Sequence, residues 1–228
     1  MIKAEFTVGQ IRPVECVKEA FSLIKDEYWV LLAVSLVGGM IAAISLYILI
    51  GAMVCGIFLC YLRKIDGGRV KFDDLFTGFK YFWSSLLVTI LVVVPLVAWM
   101  LVLFTTMYLP LILNAVGSAS VSDDEMLSTF FVVFAVDIVV ALVMVCFHSL
   151  LIFCFPLIVD RGLSSWDSIK LSARATMKNL GGIGGIIGLN FLMALAGGLM
   201  CCIGIYLVIP LITASNLVAY RKVFPKNG

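Results

Sequence analysis

The chain has 228 residues, of which 63% are hydrophobic and 13% charged, about half the charge density of an ordinary soluble domain. That balance excludes a soluble globular enzyme and describes an integral membrane protein with no soluble domain left over. The formal net charge is only +2, but its distribution along the chain is informative.

Residues 1–28 mix acidic and basic side chains and hold no apolar run ending in a small-residue cleavage site, so they are expected to remain as a cytoplasmic amphipathic N-terminus. Within them Val14, Val17, Phe21, Ile24 and Tyr28 make an apolar stripe after Pro13. The sixteen Lys and Arg of the whole chain fall in four patches, at 3–25, 63–80, 161–178 and 221–226. Cytoplasmic loops carry such an excess, which puts all four patches inside.

This rule decides how the apolar run 29–62 crosses. As one helix its 34 residues would be about 51 Å long and would leave a basic patch on each side, whereas the hydrocarbon core is about 30 Å thick. Two short helices turning near 45–51 return the chain to the cytoplasm, so 29–62 is read as a first hairpin. Residues 63–81 form a cytoplasmic segment in which Asp73 is placed to cap a helix bearing Phe72, Leu75, Phe76, Phe79 and Phe82.

Residues 82–159 make a long second hairpin. Its connecting loop, 114–125, has no Lys or Arg but carries Asp123, Asp124 and Glu125, which puts it outside. Both spans exceed what the bilayer needs, so tilt, projection or kinks near Pro95, Pro110 and Pro156 are expected.

At 160–180 a cytoplasmic amphipathic helix is capped by Ser164 or Ser165, with Asp167 in its first turn. Lys170, Arg174 and Lys178 share one face with Asp167, and Trp166, Ile169, Ala173 and Met177 form the opposite one. A basic face over an aromatic and apolar face suits the headgroup layer. Residues 181–220, with basic flanks and a break at Gly197-Gly198 or Gly204, form the third hairpin, and 221–228 are a cytoplasmic tail. The fold class is therefore an all-α integral membrane protein of six transmembrane helices in three hairpins, each preceded by a cytoplasmic amphipathic interfacial helix, with both termini inside. Short echoes, Phe21-Ser-Leu-Ile-Lys25, Phe76-Thr-Gly-Phe-Lys80 and Ala175-Thr-Met-Lys178, are compatible with three such units.

Three stretches taken together carry a resemblance. They are Gly67-Gly-Arg-Val-Lys-Phe-Asp-Asp-Leu-Phe-Thr-Gly-Phe79, Phe155-Pro-Leu-Ile-Val-Asp-Arg-Gly-Leu-Ser-Ser-Trp-Asp-Ser-Ile-Lys170 and Ile209-Pro-Leu-Ile-Thr-Ala-Ser-Asn-Leu-Val-Ala-Tyr-Arg221. Over about 14–224 the chain resembles a broad group of bacterial multi-pass proteins that includes the membrane domain attached to some glycerophosphoryl diester phosphodiesterases. The resemblance implies the fold and a bacterial inner-membrane address. It implies no hydrolysis, because no phosphodiesterase domain is present, and it carries over no catalytic residue.

Asp137 is the one acid deep in an apolar run, where an ionised carboxylate costs about 2.5–3.5 kcal/mol, so it is expected to be neutralised, paired or facing water. His148, eleven residues later, falls on the same helix face about 16 Å away. The pair either lines a proton or cation path or serves as interhelical glue, with Asn190 as a possible partner. Gly181, Gly184, Gly185 and Gly188, spaced by four in two pairs, are expected to bring helix backbones together and not to cradle phosphate, since the Gly-Lys-[Ser/Thr] ending is missing.

The seven cysteines, Cys201-Cys202 among them, read as small apolar packing residues, and one histidine is too few for a zinc site. Ser149 beside His148 points about 100° away and makes no nucleophile–base pair. No catalytic, metal or cofactor site is expected, and no nucleic acid, since each basic patch abuts a span and anionic lipid is the nearer polyanion. The expected function is non-enzymatic: an inner-membrane scaffold or accessory subunit engaging anionic lipid or another membrane protein. The alternative is a small transporter or channel that uses Asp137.

Overall fold

The structure, a computed structural model of the chain, describes residues 6–45, 48–117, 122–200 and 203–226, and these are helical with no strand. They form two compact units, Met1–Thr89 with Leu150–Gly228, and Ile90–Ser149. Four helices are long and apolar enough to cross a membrane, and a fifth crossing is reached if the bent pair at the start counts as one.

In the first unit α1 (Pro13–Ile24) starts on a proline, whose fixed φ and missing N–H suit a helix's first turn. It ends at a turn that sends α2 (Tyr28–Ile44) off at 100°. α3 (Ile50–Ile65) returns antiparallel: Ser35 of α2 lies against Tyr61, their hydroxyls 2.8 Å apart, and Gly38 against Ile57. The expected pair of short helices at 29–62 is therefore present. At 17 and 16 residues, each is about 25 Å long, less than the hydrocarbon core, and neither is among the four long helices.

α3 closes with Arg63 and Lys64 against its negative dipole end, and Gly67, at φ +86°, lets the Gly67 and Gly68 N–H groups bond back to the Lys64 and Arg63 carbonyls. The next amphipathic helix is shorter than expected. α4 is only Asp74–Thr77, followed by a 3₁₀ turn at Gly78–Tyr81, and the Asp73 side chain caps nothing because its own backbone is already helical. This segment packs on α3 through glycines. A Cβ on Gly56 would strike the Leu75 carbonyl, and one on Gly78 the Ala52 carbonyl.

α5 (Phe82–Leu103) leads out of this unit, and α8 (Cys154–Arg161) belongs to it again. The break at 151–153 comes before Pro156, which occupies the first turn of α8 where no N–H is required. α9 (Ser165–Lys178) begins on Ser164, which accepts the Asp167 N–H at 3.2 Å. α10 (Leu180–Leu199) and α11 (Ile203–Val223) cross where the Gly197 and Gly204 backbones meet. The core joins residues from α1 to α4 and α8 to α11, including Ile24, Leu31, Tyr61, Leu157 and Tyr220, with Phe224 just beyond α11.

The amphipathic helices pack on the core mainly through their small residues. α1 buries Cys16, Ala20 and Ile24, while Val14 and Phe21 of its apolar stripe face outward. α9 buries Ser168, Leu171, Ser172, Ala175 and Thr176, while Trp166 is 57% and Met177 61% exposed. Small residues let these helices approach the core closely, and the bulky apolar ones are left over for the outside. Phe72, Phe76 and Phe79 follow suit around buried Leu75.

The second unit holds the remainder of α5, a π-helical stretch at Phe104–Tyr108, α6 (Leu109–Ala115) and most of α7 (Asp123–Leu150). Pro95 sits inside α5 without interrupting it. The irregularity falls instead just before Pro110, which cannot donate back along the helix, so the ladder slips into a wider turn. Thr105 and Thr106 return their hydroxyls to the Leu101 and Val102 carbonyls.

Candidate functional sites

Within the second unit Asp137 and His148 share one face of α7, and that face meets α5. The Trp99 indole N–H donates to Asp137 Oδ1 at 2.7 Å. The His148 ring lies between the Met144 carbonyl, 2.8 Å from Nδ1, and the Val92 carbonyl, 3.1 Å from Nε2. Val92 stands three residues before Pro95, in the turn where the ladder lacks a donor. The same device recurs in the first unit, where the Tyr28 hydroxyl donates to the Leu207 carbonyl, three residues before Pro210. Trp99 was not singled out from sequence; its signal was a polar handle on an otherwise apolar span.

These contacts make Asp137 part of a clasp between α5 and α7. Asp137→Asn keeps an acceptor for Trp99 and is expected to leave the unfolding transition unchanged. Trp99→Phe removes the donor and is expected to cost about 0.6 kcal/mol, up to about 1.7. Thermal unfolding in detergent checks both. A transport phenotype lost in Asp137→Asn at normal expression would instead mark this acid as functional.

Asn190 of α10 bonds across to α11, donating to Asn216 Oδ1 at 2.7 Å and accepting from the Ser215 hydroxyl at 3.1 Å. Its amide is thus engaged within the first unit. Of the four glycines expected to bring backbones together, Gly185 meets Pro13, and the neighbouring Gly182 meets Ile11. Nothing lies within 4 Å of the Cβ position at Gly181, Gly184 or Gly188, because the N-terminal segment crosses only one side of α10.

On α9 the inward face is stitched to its surroundings by small polar groups. The Ser172 hydroxyl donates to the Leu150 carbonyl at 2.7 Å and accepts the Phe153 N–H at 3.1 Å, satisfying the helix break there. Asn179 accepts from the Gly9 N–H at 2.8 Å and donates to the Thr7 carbonyl at 3.2 Å. On the outward side Lys170, Arg174 and Lys178 are exposed and, among the described residues, form no salt bridge with a carboxylate. Lys170 instead sets its ammonium 5.0 Å from the Trp166 ring centre.

The basic residues at the ends of α3 and α11 are paired. Arg221 grips two carboxylates at once: Nη1 and Nη2 reach Asp160 at 2.7 and 2.8 Å, and Nε and Nη2 reach Asp66 at 3.0 and 2.8 Å. The Tyr220 hydroxyl adds a 2.7 Å bond to Asp160. This clasp ties the ends of α3, α8 and α11 and lines a cavity of about 350 Å³ with Arg63 and Lys226. Arg63 pairs with Asp74, Lys222 with Glu19, and Lys64 with both Asp26 and Glu27. The hydrogen bond from Lys64 holds the Asp26 carboxyl below its ordinary value and raises the lysine in turn.

Among the described residues no group of His, Cys, Asp and Glu is placed to hold a metal ion. Cys16, Cys55, Cys60 and Cys154 are free and buried. Cys201-Cys202 and the loop residues 118–121 lie outside the described residues, as does the side chain of Asp123. Compared with known protein families, curated proteins and solved structures, the chain matches none.

Proposed function

We propose that this chain is a non-enzymatic scaffold or accessory subunit of a bacterial inner membrane, crossing six times with both termini cytoplasmic, and that α9 holds anionic lipid or an acidic partner. The observation that carries this reading is the outward surface of α9. Among the described residues its three basic side chains lack carboxylate partners while those of α3 and α11 have them, and beside them Trp166 and Met177 are exposed. Phe21 and the phenylalanines around α4 extend the same character, bulky apolar groups turned away from the protein. Such helices suit the plane where headgroups meet acyl chains. The six-span count rests on the basic patches that flank α2 and α3 and on the resemblance drawn from the three motifs. Transport through Asp137 has less support, since Trp99 of α5 holds Asp137 Oδ1 and His148 Nε2 lies against the Val92 carbonyl of α5.

Replacing Lys170, Arg174 and Lys178 together with Gln is the test. About 1 kcal/mol of attraction is expected to go with each charge, so the purified variant should lose its enrichment in anionic lipid or acidic partner while still folding. The wild-type enrichment should fade with salt, because surface charges interact over about 8 Å at physiological ionic strength. Identical lipids and proteins bound to variant and wild type at low and high salt would reduce α9 to a connector.

A further inference from the structure

The second unit contains a cavity that the reading above does not use. It has a volume of about 530 Å³ and lies between the stretch around Pro110 and the first turns of α7, lined by Thr106, Tyr108, Leu111, Leu127, Phe130 and Val133 among others. The π-helical stretch supplies part of its wall. Widened turns of this kind are a costly departure from regular helix that recurs at functional sites. Among the described residues no charged side chain lines it, and the Thr106 hydroxyl is spent on the Val102 carbonyl. Its size falls in the range of small-molecule sites, about 300–1,000 Å³, which are mostly apolar.

Two observations narrow the occupant. The residues around the cavity, including Ile112, Phe131 and Phe134, are exposed and apolar, so what meets this surface is hydrocarbon. Residues 90–149 contain four acids, Asp123, Asp124, Glu125 and Asp137, and no Lys or Arg. Asp124 and Glu125 stand immediately before Met126, which lines the cavity, and both are exposed. Glu125 uses one oxygen on the Ser122 N–H and hydroxyl, at 3.2 and 3.0 Å. An anionic headgroup above this cavity would face only negative charge, whereas an amine would find it complementary.

We propose that this cavity binds one hydrocarbon tail of a membrane lipid whose headgroup carries an amine, with Asp124 and Glu125 facing the ammonium. The proposal is independent of the one for α9, whose exposed basic side chains suit an anionic headgroup and not an added ammonium.

The test uses the full chain with two probes of identical acyl chains, phosphatidylethanolamine and phosphatidylglycerol, each bearing a photoreactive group midway along one tail. Crosslinks from the ethanolamine lipid are expected to concentrate in peptides covering 106–111 and 126–133, at about five times the yield from the glycerol lipid, which is what two exposed ion pairs supply. Val133→Trp fills the cavity and should abolish this label. Asp124→Asn with Glu125→Gln keeps the helix start and should make the two lipids label equally. Labelling spread evenly over all apolar surfaces of the wild type, or equal labelling by both lipids, would overturn the proposal without requiring any variant to fold.

Discussion

Replacing Arg221 with Met is expected to destabilise the purified protein by about 3–5 kcal/mol, the usual penalty for breaking a buried ion pair from one side. The guanidinium is only 12% exposed, and its partners Asp66 and Asp160 are each 17% exposed. Removal of Arg221 leaves two carboxylates close together with much of their hydration already lost. Lys226 reaches Asp66 at 3.2 Å but is itself 64% exposed, so it compensates little. The pairwise change Arg221→Met with Asp160→Leu removes one stranded charge along with its partner and should recover most of the loss. Thermal unfolding in detergent reads both. An unchanged transition in Arg221→Met would show that the three helix ends are held by apolar packing alone.

The second large effect is expected at Gly56 and Gly78. Alanine at either position drives a methyl group into a backbone carbonyl, of Leu75 in one case and Ala52 in the other. Overpacking against side chains costs about 1–3 kcal/mol. Here the obstacle is main chain that cannot rotate aside, so losses at the top of that range or beyond are expected, together with separation of the 74–81 segment from α3. Gly39→Ala and Gly181→Ala are the controls. Nothing lies within 4 Å of the added carbon at either site, and the better helix propensity of alanine should leave stability equal or higher by up to about 1 kcal/mol. If all four substitutions behave alike, the close approach of the two segments does not contribute to stability.

Apolar runs and turn residues were readable in the chain because they are local. The ends of α2 and α10 and the irregularities before Pro110 and Pro156 fall where serine, glycine or proline interrupts a helical pattern. The Ser164 cap was readable for the same reason. Which side of each amphipathic helix turns inward was not readable. Apolar bulk alone does not say whether Phe21, Trp166 and Met177 meet protein or lipid, and close packing on the core selects Ala20, Ser172 and Ala175. The pairing of Arg221 with Asp66 and Asp160 spans separations of 155 and 61 residues, and nothing local in the sequence announces it. Asp137 stands out as a lone acid, whereas Trp99 differs from the apolar residues around it only by its indole N–H.

The stitching of the N-terminal segment has a consequence for biogenesis. The Thr7 N–H bonds to the Val223 carbonyl at 2.9 Å, its hydroxyl reaches the Lys222 carbonyl, and Asn179 clamps the Thr7–Gly9 backbone. These partners are separated by up to 216 residues. At about 5–20 residues per second, the ribosome needs on the order of ten to forty seconds between the first member of this seam and the last. Throughout that interval the eventual neighbour of α1, α11, is still unmade, and closing so long a loop is slow. α1 therefore cannot take its final seat until α11 has been made, and the seam at Thr7–Gly9 forms only after both are present.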